Sequence, residues 1–185
     1  MILSPDPPPL GAPGAGAPLI LTLAMDERST AFFETQRRRY FPPERNLIPA
    51  HLTLFHKLPG ENRAAIERDL AAAAATQARF PLEVTGLRFL GRGVSYALHS
   101  PALALLRQGL ASTWAPWLGP QDRQGHRPHV TVQNKADPET AKSVLAVLQD
   151  RFAPFTATAE GLQLWRYLGG PWDHLATFAF AGEPP

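Results

Sequence analysis

The chain of 185 residues has no cysteine, which excludes a disulfide framework, a thiolate nucleophile and thiolate metal ligands. Any metal site would have to use histidine and carboxylate. No apolar run approaches the roughly twenty residues needed to cross a bilayer, and the beginning carries no basic segment followed by a long apolar stretch. The chain therefore reads as cytoplasmic, with no membrane partner. An excess of one charge is also missing. Lys and Arg number 18 against 16 Asp and Glu, a formal net charge of +2, which argues against extended DNA or RNA binding by charge alone. What is there is 44% hydrophobic and 18% charged, enough for a single domain with a sizeable core, read as a monomer.

The most informative feature is one phrase present twice, seventy-eight positions apart: His51-Leu52-Thr53-Leu54-Phe55-His56-Lys57 and His129-Val130-Thr131-Val132-Gln133-Asn134-Lys135. Strand side chains alternate faces, so His51, Thr53 and Phe55 are expected on one face and Leu52 and Leu54 on the other. The same alternation groups His129, Thr131 and Gln133 opposite Val130 and Val132. Each strand thus has an aliphatic face for a core and a His/Thr face for a site.

The remaining pattern supplies the setting. Residues 1–18, rich in Pro, Gly and Ala, read as an extended or disordered lead-in. Leu19–Met25 reads as a strand, and Phe32, Phe33 and Tyr40 are spaced for a helix that Pro42 and Pro43 end. A His/Thr strand over Ala50–Leu58, a helix over Glu61–Ala78 and a hairpin of Leu82–Leu90 with Val94–His99 follow. The second half repeats the order: a helix from Pro101 to about Trp114, a loop over Leu118–Pro128, the second His/Thr strand, a helix from Asp137 to Arg151, and strands near Phe155–Leu168 and Leu175–Phe180. Thr85-Gly86-Leu87 and Leu90-Gly91 have counterparts in Glu160-Gly161-Leu162 and Leu168-Gly169. This internal duplication predicts an α+β fold of two lobes, with halves at about 19–99 and 100–181 interleaved in one domain over 19–185. Two antiparallel-rich sheets would face each other across a central cleft, with helices outside.

The paired His-x-Thr strands, Phe41-Pro42-Pro43-Glu44 before the first and Arg127-Pro128 before the second resemble the two-histidine phosphoesterases, particularly the bacterial 2′-5′ RNA ligase and cyclic phosphodiesterase branch. The resemblance extends in element order from Leu19 to Phe180. It implies a bilobal fold with a central cleft and RNA-processing chemistry that needs neither ATP nor metal. The substrates implied are 2′,3′-cyclic phosphates or 2′-5′ phosphodiester linkages on small nucleotides or RNA ends, with ligation as the reverse reaction. The stretch Phe55–Gly60 departs from the Ala-Phe-Leu-Gly type common in the RNA ligase branch, so the subfamily stays open.

The residue types suit this chemistry in their own right. In-line cleavage of a phosphodiester needs a base on the attacking water and an acid on the departing oxygen, and imidazoles with an ordinary pKa of about 6.5 supply both near neutrality. Thr53 and Thr131, roughly 6–7 Å along each strand from their histidines, can donate to the non-bridging oxygens. His51, Thr53, His129 and Thr131 are therefore the expected catalytic set. Phe55, Gln133, His126 and Arg127 are the expected substrate contacts, with a core role for Phe55 equally open, and with no cofactor and no metal. Which histidine is acid and which is base stays open. The pairs His126/His129 and His51/His56 have odd spacings that put their members on opposite strand faces, a poor fit to a metal site. His56, His99 and His174 read as surface or edge residues, the four Trp as packing ahead of base stacking, and the Arg37, Arg38, Arg39 and Arg45 group as water-facing charge at a helix end, with phosphate guidance as the alternative. The competing reading is a nucleotide-binding module that kept the cleft without turnover.

Overall fold

Residues 16–183 are described by a computed structural model. Residues 1–15, which make up most of the expected lead-in, lie outside the described residues. Strand β1 (Leu19–Met25) is apolar on both faces because it is an interior strand, and six of its seven residues are buried. Asp26 then caps helix α1 (Glu27–Tyr40), accepting from the Ser29 amide at 2.9 Å, while its other oxygen accepts from the Thr158 amide at 2.6 Å. Phe41 is extended (ψ 137°), as a residue before proline must be, and the helix stops there.

Strand β2 (Leu52–Leu58), helix α2 (Arg63–Thr76), strands β3 (Phe80–Phe89) and β4 (Val94–His99), and helix α3 (Pro101–Thr113) complete the first part of the chain. Helix α4 (Pro120–Arg123), strand β5 (His129–Gln133), helix α5 (Pro138–Arg151), and strands β6 (Phe155–Tyr167) and β7 (Trp172–Ala179) follow. The expected elements are all present, with ends moved by a few residues. The loop expected over Leu118–Pro128 contains one helical turn, α4, which starts at Gly119-Pro120.

All strand pairs are antiparallel, in the order β2-β1-β6-β3-β4-β5, with β7 also on β6. The two expected sheets are joined into one because β6 serves both. Its start, Phe155–Ala159, pairs with β3, and its remainder, from Ala159 to Tyr167, runs between β1 and β7. One lobe is therefore β2-β1-β6-β7 and the other β6-β3-β4-β5. Helices α1 and α3 cross between lobes. Helix α1 packs on β5, with Phe32 and Phe33 edge-on to Tyr96 at 5.5 Å each. Helix α3 reaches β2, where Trp114 stands edge-on to Phe55 at 5.3 Å and donates from Nε1 to Asp69 at 2.8 Å.

Both His/Thr strands carry a bulge at the same place. Thr53 pairs with Thr22 but Phe55 pairs with the adjacent Leu21, so Leu54 is one residue too many. Thr131 pairs with Ser95 but Gln133 with the adjacent Val94, so Val132 is the extra residue there. Alternation fails at each bulge. Phe55 and Gln133, expected on the His/Thr face, are 0% and 2% exposed.

Candidate active site

His51 directly precedes β2 and His129 begins β5, the strands at the two ends of the sheet order, which approach each other in the fold. The rings are anchored alike. His51 Nδ1 lies 2.7 Å from the Pro49 carbonyl oxygen, and His129 Nδ1 lies 2.8 Å from that of Arg127. A carbonyl can only accept, so each neutral ring carries its proton on Nδ1 and leaves Nε2 unprotonated. In both copies the acceptor is the residue two positions before the histidine. The structure thus turns the sequence repeat into two equivalent, oppositely contributed imidazoles.

The segment before His51 is held from α1. Glu34 accepts from the Ala50 amide at 2.6 Å. Arg37, 3% exposed, donates from Nε to Asn46 Oδ1 at 2.7 Å and the Ile48 carbonyl at 3.2 Å, and from Nη1 to the Thr131 carbonyl at 2.9 Å. Its guanidinium also stacks 4.0 Å over the Phe41 ring. One buried cation therefore joins the approach to His51 to the strand of His129. This corrects the reading of Arg37, Arg38 and Arg39 as a uniform water-facing run, since only the latter two are exposed. Arg37 follows the buried Phe33 by four residues, and helical spacing would have separated it from its neighbours.

Burial drives the His51 pKa down to about 4; the Pro49 hydrogen bond opposes this, and the charges of Arg37, His129 and His56 reinforce it. The Trp172 ring, centred 4.6 Å from the His51 ring, supplies part of that cover. His126 behaves likewise: burial lowers it to about 4, against its bond to the Thr53 carbonyl and with the charges of Arg107, His129 and His56. Its Nε2–H donates to that carbonyl at 2.9 Å. His51 is therefore neutral at neutral pH.

A cavity of about 740 Å³ opens between β2, α3 and the segment around α4. Thr53, His129, His126 and Arg127 line it, as do His56, Arg88 and Arg107, while His51 and Thr131 are not among its lining residues. Two expected substrate contacts are therefore placed there, His126 and Arg127. Phe55 and Gln133 are not, because the bulges bury them, Phe55 under the Arg107 guanidinium at 4.8 Å. His56 is not a plain surface residue: its ring and amide both bond Asp122 Oδ1, at 3.1 and 2.8 Å, and the Lys57 amide bonds Oδ2 at 3.0 Å. Burial acts to raise the Asp122 pKa, but the His56 and Lys57 hydrogen bonds outweigh it and hold the carboxyl below its ordinary range. Arg88, Arg107 and Trp172 were not legible as site residues; only the Arg88 position, on a duplicated hairpin, carried a signal. Among the described residues no three His, Asp or Glu side chains gather as a metal-ligand set, and no helix is long and apolar enough to cross a membrane.

No curated protein matches the chain. TT0787 of Thermus thermophilus shares the fold with a TM-score of 0.65 at 20% identity, over 90% of this chain and 100% of its own. E. coli LigT complexed with 3′-AMP gives 0.59 at 21% identity, over 89% of this chain and 98% of its own. E. coli LigT complexed with NADP+ gives 0.56 at 19% identity, over 90% of this chain and 99% of its own. The family model of the 2′-5′ RNA ligase superfamily matches residues 25–171, a span that includes both His/Thr strands. On that match, and on the two equivalent imidazoles that the fold presents, the chain belongs to the 2′-5′ RNA ligase superfamily of two-histidine phosphoesterases.

Proposed function

We propose that the protein hydrolyses 2′,3′-cyclic phosphates or 2′-5′ phosphodiester linkages of small nucleotides or RNA ends, with His51 as base and His129 as acid. The observation that carries this reading is the matched anchoring of both rings through Nδ1, which leaves two Nε2 atoms for one phosphate. His51, neutral at neutral pH, takes the proton of the attacking water as the new P–O bond forms. The opposite P–O bond breaks, and its oxygen takes a proton from Nε2 of His129 in the protonated form. The hydroxyls of Thr53 and Thr131 donate to the non-bridging oxygens as their charge grows. A 3′-AMP complex of the similarly folded LigT accords with a nucleotide in the cleft.

His51→Ala and His129→Ala are each expected to abolish turnover of a 2′,3′-cyclic nucleotide while the circular dichroism spectrum is unchanged, and EDTA is expected to leave wild-type turnover intact. Full activity in either variant sinks the assigned roles. The alternative, a nucleotide-binding module without turnover, would show binding by calorimetry with no product formed.

A further inference from the structure

The surroundings of the two histidines differ sharply. Beside His51 they are aromatic: Trp172 covers its ring, and Trp165 lies 6.1 Å beyond Trp172. The cavity that reaches His129 is cationic. Arg88, Arg107 and Arg127 line it, and among the described residues no carboxylate does. Asp122, whose carbonyl accepts from Arg107, is 2% exposed, and both its carboxylate oxygens accept from His56 or Lys57. None of these three arginines is in an ion pair with a carboxylate among the described residues.

The three guanidiniums line one cavity; backbone carbonyls fix Arg107, on which the charge of Asp122 acts without forming an ion pair. Arg107 donates from Nε to the Leu54 carbonyl at 3.0 Å and from Nη2 to the Asp122 carbonyl at 2.7 Å, which leaves Nη1 without either partner. The duplication contains its own comparison. At the offset of the His/Thr phrase, Arg88-Phe89-Leu90-Gly91 corresponds to Arg166-Tyr167-Leu168-Gly169, and both glycines are left-handed, with φ of 81° and 88°. Arg166 has Asp173 at 3.9 Å, whereas Arg88 pairs with no acid among the described residues and lines the cavity. One copy of the hairpin is neutralised within the protein and the other is open to an anion.

We infer that this cationic arm binds a second phosphate, so that the preferred substrate is a nucleotide bearing a phosphate on its 5′ oxygen besides the one cut between the histidines. A ribose 2′,3′-cyclic phosphate has only the 5′ hydroxyl left to carry it. A space of about 740 Å³ suits a nucleotide-sized ligand better than a lone phosphate. Arginine forks are the usual partner for such a group. The inference rests on the proposed reaction for the position of the first phosphate alone.

The test compares a nucleoside 2′,3′-cyclic phosphate with the same compound bearing a 5′-phosphate and with a dinucleotide ending in the cyclic phosphate. The wild type is expected to favour both phosphate-bearing compounds in kcat/KM by about tenfold or more. A larger gain for the 5′-monoester identifies a terminal phosphate, and an equal gain identifies the continuing chain; both support the arm. Arg88→Gln is expected to cut this preference about tenfold, and Arg166→Gln to retain it. No preference in the wild type, or equal loss in both variants, overturns the inference. Calorimetry with a nucleoside 3′,5′-bisphosphate against its 3′-monophosphate separates the two readings. Tighter binding of the bisphosphate by a protein with no turnover keeps the arm and removes the proposed reaction.

Discussion

Arg37 Nη1 donates to the carbonyl of Thr131 at 2.9 Å, a residue ninety-four positions further along the chain. This bond runs from the helix before the first His/Thr strand to the backbone of the second. Through Asn46 and Ile48 the same guanidinium holds the segment that delivers His51. The relative position of the two imidazoles therefore depends on a side chain that bears neither of them.

Replacing Arg37 with Met would leave three acceptors without their donor in a buried setting. Arg37→Met is expected to cost roughly 3 kcal/mol in urea unfolding. It should lower kcat more than it raises KM, and the His51 titration should move upward as a nearby positive charge is lost. An unchanged His51 titration would show that Arg37 does not act on the site.

The two depressed histidines fix a pH window. His51 and His126 stay neutral down to about 4 in the folded protein, while in the unfolded chain they take up protons below about 6.5. The unfolded state thus binds more protons between these values, and stability falls as pH drops from 6.5 to 4, on the order of 3 kcal/mol for each ring at the lower end. Carboxylates held low, such as Asp122, lose their contribution only below their ordinary 3.8. Urea midpoints at pH 7.5 and 4.5 check this, and equal midpoints would exclude it. With His51 as base, the acid limb of kcat/KM should lie near pH 4 rather than 6.5.

Trp172 shields His51 from water. In Trp172→Ala the His51 ring gains hydration, and its titration by NMR should move from about 4 toward 6.5. A His51 titration identical to the wild type would show that the shielding comes from elsewhere.

Phe55 separates a core role from a ligand role. Phe55→Ala opens a cavity beneath Trp114 and Arg107 and should cost about 3–5 kcal/mol in unfolding free energy. Phe55→Leu should retain most of the stability and leave substrate preference unchanged. A change in preference between nucleotide substrates would return Phe55 to the site.

The duplication, the order of elements and the two histidines were legible because each rests on local periodicity or on a repeated phrase. Leu52, Leu54, Val130 and Val132 are buried as alternation requires. Alternation failed at Phe55 and Gln133, because a bulge is a property of two paired strands and neither strand shows it alone. Arg37 and Arg107 act on backbone carbonyls of remote segments, and no spacing along the chain encodes such a partner. Trp172 reads as packing in the sequence, and it does pack, but against a histidine that sequence order places 121 positions away.

Strand β6 completes both lobes, and β7 belongs to the lobe that β1 and β2 begin. A single copy of the repeat would therefore own no finished sheet and could bury its apolar faces only by trading strands with a twin. With both copies in one chain that exchange is intramolecular, and the two lobes need not be alike. One lobe has an indole beside its imidazole, and the other an arginine that pairs with no carboxylate among the described residues.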